Sequence, residues 1–187
     1  MGADTNVKRN PVGYVKMIIQ NLDKENQDTA FRAAMRKADN PNPRISCKSW
    51  EYISRYCNLD KDYELVPFAL IGASMARLKQ PPVSDGELGI GRAIAVYYSR
   101  GERNNNDDNG IDKAAKTKIN RLLACDTASE ACTILRPLLG LINSDVGNIH
   151  LNYTQLLWDL LKDDENFNEK VKPRWAMDFY HKKEEDK

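Results

Sequence analysis

Apolar residues recur along this chain at intervals of three and four, and no period-two alternation of Val, Ile and Thr occurs, so nearly every segment reads as amphipathic helix. The periodic stretches span about 11–26, 28–39, 46–57, 64–79, 87–100, 111–125, 128–143, 152–163 and 167–182, each closed by polar residues or by Pro and Gly. The pattern predicts an all-α protein of about nine helices in two packed, bundle-like subdomains, with no sheet. Several helix ends carry a mechanism. Thr127 with Glu130, and Asn152 with Gln155, place a capping oxygen before a helix and an acceptor three residues on, satisfying orphaned backbone N–H groups. Pro67 suits a first turn, where no donor is needed, whereas Pro137 and Pro173 fall inside periodic stretches and predict kinks or breaks.

The polar run GERNNNDDNG has nothing to anchor it in a core and reads as a linker over 101–110. It separates an N-terminal helical subdomain, 11–103, from a C-terminal one, 111–183. A shorter break, DNPNP at 39–43, joins helices within the first.

Composition narrows the class. The 187 residues are 41% hydrophobic, enough for one sizeable core or two small helical ones. Lys and Arg number 28 against 27 Asp and Glu, so the bulk charge advertises no polyanion partner and only its distribution can. No apolar run reaches membrane-spanning length, the start MGADTNVKRN lacks a signal peptide's hydrophobic stretch, and Asn6 stands where an acylation signal needs Ser or Thr. A cytoplasmic protein with no membrane partner is expected. Cys47, Cys57, Cys125, Cys132, His150 and His181 form no zinc-type spacing, so buried reduced thiols, no metal and no cofactor are expected. The carboxylate runs, such as Asp163-Asp164-Glu165, are consecutive surface residues, and neither histidine has a nucleophile partner; no catalytic residue is identified and no enzyme is expected.

The stretch GIGRAIAVYYS, from Gly89, opens like a phosphate-binding glycine loop, but no buried strand precedes it and no parallel sheet is in prospect. As a helix it sets Ile90, Ala93, Ile94, Tyr97 and Tyr98 on one face with Arg92 pointing away, while Gly89 and Gly91 let another backbone approach the first turn. Arg92 is then either an anion-binding group at a helix N-terminus or a surface arginine on a packing helix. In IDKAAKTKINRLLACD, Ile111, Ala115, Ile119, Leu122 and Leu123 form the apolar arc; Lys113, Lys116 and Arg121 fill the opposite one, with Lys118 at its margin. No acidic residue interrupts that face, which suits a phosphate backbone or simple solvation. In DTAFRAAMRKAD, Phe31, Ala34, Met35 and Ala38 face inward and leave Arg32 and Arg36 one turn apart. In EKVKPRWAMDFYHKK, Val171, Trp175 and Phe179 make a core stripe, with Lys170, Arg174 and His181 opposite and Arg174 placed to pair with Asp178.

Taken in order, TAFRAAMRKA, LGIGRAIAVYYS, TKINRLLACD, ILRPLLGLI, LNYTQLLWDLL and VKPRWAMDFY resemble the CasB family, the small subunit of the type I-E CRISPR surveillance complex Cascade, over about residues 29–181. The resemblance implies a non-catalytic, two-domain helical subunit, present in two copies, that contacts the complex's backbone subunits and large subunit and stabilises the R-loop formed by guide RNA and target DNA. Position by position it marks Arg32, Arg36, Arg92, Lys118 and Arg136 as nucleic-acid contacts; Lys116 and Arg121 are added by the helical wheel alone. Two departures occur, at Cys125-Asp126-Thr127 and at Leu135-Arg136-Pro137, where many members carry further arginines. A helical protein–protein adaptor, with a basic face and no direct nucleic-acid contact, is the competing expectation.

Overall fold

The computed structural model describes residues 8–23, 28–100, 111–144 and 149–181. Asn10 starts α1 (Pro11–Leu22) by accepting the Gly13 N–H at 2.9 Å, and Pro11 takes a position that needs no donor. Asp28 caps α2 (Thr29–Met35) in the same way through the Phe31 N–H. After the break at 39–43 the single helix expected over 46–57 is three short pieces: α3 (Pro43–Ser46), a 3₁₀ turn (Cys47–Ser49) and α4 (Trp50–Ile53). The Ser49 hydroxyl donates to the Ser46 carbonyl at 2.7 Å, a local bond that competes with a regular helical ladder.

Helix α5 (Asp62–Ala76) is buried continuously from Pro67 to Ala76, and α1, α2 and α4 pack around it. Gly72 makes this possible, since a Cβ there would lie 2.2 Å from both the Met35 methyl and the Tyr14 hydroxyl. Because α5 begins at Asp62, Pro67 stands beyond the first turn, contrary to expectation. The helix tolerates it because the carbonyl it deprives of a donor belongs to Tyr63, which is exposed.

The chain divides into two compact units between Asp85 and Gly86. Helix α6 (Ile90–Ser99), assigned above to the first subdomain, belongs to the second: its buried Ile90, Ala93 and Ile94 belong to a helix that packs on α7 (Lys113–Leu123), α8 (Ala128–Ser144) and α11 (Lys172–Tyr180). Tyr97 and Tyr98, expected on the same buried face, are only half-buried. The expected linker, 101–110, lies outside the described residues.

Between α8 and α11 run α9 (Tyr153–Leu160), α10 (Asp164–Asn166) and a π-helical turn (Phe167–Val171). The π turn lies just before Pro173, where a break was expected, and absorbs the proline's missing donor. Pro137 produces no break. Thr133 and Pro137 are both exposed, so the carbonyl left without its helical donor lies on the solvent side of α8.

Both expected caps form, each half-built. Thr127 Oγ1 accepts the Glu130 N–H at 3.2 Å, but the Glu130 carboxylate accepts from Asp126 N–H. Asn152 Oδ1 accepts the Gln155 N–H at 2.7 Å, while the Gln155 amide turns away to Asp159.

The described residues hold no strand, in keeping with an all-α fold. An isolated parallel bridge joins Leu88 to Leu151, with Leu88 N–H donating to His150 O at 3.1 Å and Asn152 N–H to Leu88 O at 2.9 Å. It draws the starts of α6 and α9 together beside α11.

Candidate nucleic-acid interface

The two arginines of α2 are anchored to backbone. Arg32 donates from Nε and Nη2 to the carbonyls of Ala76 and Leu78, and Arg36 donates from Nε to Ala76 O at 3.0 Å. These carbonyls close the C-terminus of α5, where positive charge is favoured. Arg77 reciprocates: its guanidinium donates to Arg36 O and to both Asp39 carboxylate oxygens, at 2.8 and 3.2 Å. Burial, and then the neighbouring Arg36 charge, lowers the Arg32 pKa. Arg36 is exposed and commits only its Nε among the described residues, so its outer nitrogens face solvent.

In the second unit, another backbone comes close to the first turn of α6 at Gly91, as its spacing predicted. A Cβ at Gly91 would meet the Trp175 carbonyl oxygen at 2.1 Å, and one at Gly89 would meet Asp178 Oδ2 at 2.2 Å. The start of α6 is therefore packed against α11, and the Asp178 carboxylate beside Gly89 disfavours a phosphate there. Burial pushes the Asp178 carboxyl above its ordinary value, partly offset by Arg174. Arg92, on the first turn of α6, is half-buried and makes no ion pair among the described residues.

Of the apolar arc expected on α7, Ala115, Ile119 and Leu122 are buried, whereas Ile111 and Leu123 are half-buried. Asp112 caps the start of α7 by accepting from Ala114 and Ala115 N–H at 2.8 and 2.9 Å. Lys113 and Arg121 are exposed, whereas Lys116 and Lys118 are half-buried on the two flanks of the arc. The basic face is thus centred on Lys113 and Arg121 rather than on Lys116. Arg136 is exposed on α8, one turn after buried Cys132.

Arg174 does not pair with Asp178 but with Asp159, whose side chain is 3% exposed. The same carboxylate accepts from Trp175 Nε1 at 2.8 Å and from Gln155 Nε2 at 2.7 Å. The Val171, Trp175 and Phe179 stripe is core, as predicted. Sequence reasoning missed Asp159, although its place between Leu156 and Leu160 on the apolar side of α9 marked it as a charge in need of a partner. It missed buried Glu64 too, which pairs with Arg9 at 3.0 Å. Three of the four thiols are buried as expected, but Cys47 is exposed on the 3₁₀ turn.

Among the described residues no group of three His, Cys, Asp or Glu side chains is arranged to hold a metal, and no helix is long and apolar enough to cross a membrane. The fold defines a class: a protein of two helical units with no strand among the described residues. The chain belongs to the CRISPR-associated protein Cse2 family, whose model matches residues 31–180. Its fold is similar to that of a Cse2-family protein of Thermus thermophilus, with 19% identity, 92% of this chain and 98% of that one covered, and a TM-score of 0.64. It is similar also to a structure of CasB from Thermus thermophilus, at 19% identity, 92% and 98% coverage and a TM-score of 0.60. A chain of a CRISPR RNA-guided surveillance complex aligns at 17% identity, with 90% of both chains covered and a TM-score of 0.67. A search of curated protein sequences gives no significant match.

Proposed function

We propose that this chain is a non-catalytic small subunit of a type I-E CRISPR (Cascade) effector complex, and that its basic helix faces hold nucleic-acid backbone and stabilise the R-loop. Family membership and the likeness to a chain of a solved surveillance complex support the assembly. The observation that carries nucleic-acid contact is α7: eleven residues without an acidic side chain, with Lys113 and Arg121 exposed opposite a buried apolar arc. Exchanging a DNA duplex for a guide–target heteroduplex is near balance, so a few Lys or Arg contacts that release counterions can tip it. Arg36, Arg92, Lys116, Lys118, Arg121 and Arg136 are the proposed contacts. Arg32, held on two carbonyls, adds its charge beside Arg36. The partners are the complex's backbone and large subunits, a second copy of this chain, guide RNA and target DNA.

Backbone contacts carry no sequence information. At low salt the purified chain is expected to bind DNA of unrelated sequences equally, and Lys113→Ala/Arg121→Ala to weaken binding about tenfold with an unchanged melting temperature. Unaltered affinity in that variant would favour the protein-adaptor role instead.

A further inference from the structure

We infer that Tyr180 is a stacking platform for an unpaired DNA base, an assignment that rests on the backbone-binding reading of α7. Tyr180 closes α11 and is 44% exposed; Met177, one turn earlier, is 58% exposed, although Trp175 and Phe179, two residues to either side of Met177, are buried. The ring has two contacts. Its hydroxyl donates to Asn120 Oδ1 at 3.5 Å, and it stands edge-on to buried Phe179, with centroids 4.9 Å apart and planes at 89°. The contacts to Asn120 and Phe179 leave part of the ring uncovered. What remains is an aromatic surface presented to solvent, on a side chain with few rotatable bonds to order when a planar partner binds.

Asn120 places that surface on the basic helix. It lies four residues after Lys116 and seven after Lys113, on one row of α7. At the helical rise those cations stand about 6 and 10 Å along the axis from the Tyr180 contact. A strand whose phosphates follow this row passes the ring. In a duplex the base faces are covered by their neighbours and closed to a side chain beside the backbone; an unpaired strand offers each base's π face. Charge therefore holds either form, and the ring distinguishes the single strand.

The test measures affinity of the full chain for an oligo-dT strand and for a duplex of equal length, using wild type, Tyr180→Phe, Tyr180→Leu and Lys113→Ala/Arg121→Ala. Tyr180→Leu keeps apolar bulk and loses the π face, so it is expected to bind the single strand about tenfold more weakly while duplex affinity stays within about twofold. Tyr180→Phe keeps the ring and is expected within about threefold of wild type on both. Circular dichroism melts verify that each variant is folded. Wild-type single-strand affinity in Tyr180→Leu, or equal loss on both forms, overturns the stacking role. If in that case the Lys113/Arg121 variant still weakens both forms, the backbone reading survives and only the stacking falls; if that variant binds as wild type, the backbone reading falls too.

Discussion

Asp159 gathers three donors onto one buried carboxylate, and the indole of the largest core side chain, Trp175, is among them. Removing the acceptor strands a buried indole N–H and leaves the Arg174 guanidinium unpaired. Asp159→Ala is expected to lower stability by about 3–5 kcal/mol in urea titration. Arg174→Ala is expected to cost about 1–3 kcal/mol, because the arginine is 42% exposed and two donors remain on the carboxylate. A loss below about 1 kcal/mol for Asp159→Ala would contradict this account. The cysteines give a chemical readout at the same scale. Burial pushes the Cys57 and Cys132 thiols up to about 12 and raises Cys125. At pH 8 one thiol, Cys47, is expected to react quickly with a disulfide reagent, and the other three only after denaturation. The same shifts set a sign for stability. The fold keeps these protons while the unfolded chain loses them above an ordinary value near 9, so stability declines from about pH 9 to about pH 12 and is unaffected by these thiols below. Burial of three cysteines was readable from residue type; exposure of Cys47 was not, because it follows from the 3₁₀ turn that replaces a longer helix. Asp159 escaped notice because charge is ordinarily a surface signal.

Among the elements, the approach of α11 to α6 is the most exacting contact. A side chain at Gly91 would collide with backbone, which cannot swing aside. Gly91→Ala is expected to destabilise by about 3 kcal/mol or more, whereas Gly140→Ala in α8, where nothing lies within 4 Å, is expected to be neutral or stabilising by up to about 1 kcal/mol. Equal thermal shifts in the two variants would show that α6 and α11 are not so closely packed. Gly89 and Gly91 disclosed this approach in the sequence because they carry no side chain to hold another backbone away. Pro137 and Pro67 misled. A proline's cost depends on whether the carbonyl it strands is buried or wet, and periodicity alone does not say which. Pro173 was read correctly as a disruption, though its form, a π-helical turn, depends on how Phe167 and Val171 are both buried.

For the molecule as a whole, the all-α class followed from periodicity, whereas the boundary between its units did not. Polarity in GERNNNDDNG shows only that the run has no core anchor, not which bodies it joins; the apolar face of α6 decides that, and places the division between Asp85 and Gly86. The basic residues divide in the same way. Arg32 and Arg36 were recognised by position, but their anchorage on the end of α5 depends on carbonyls about forty residues further along the chain. The face of α7 was readable because a single helix carries both its buried arc and its cations. Neutralising DNA phosphate with that face is the central claim, and the salt dependence of binding tests it most directly. A plot of log affinity against log salt is expected to fall steeply for the wild-type chain and to be flatter by about 2 in Lys113→Ala/Arg121→Ala, near 0.9 for each phosphate no longer neutralised. Affinity indifferent to salt, or slopes that coincide, would contradict it.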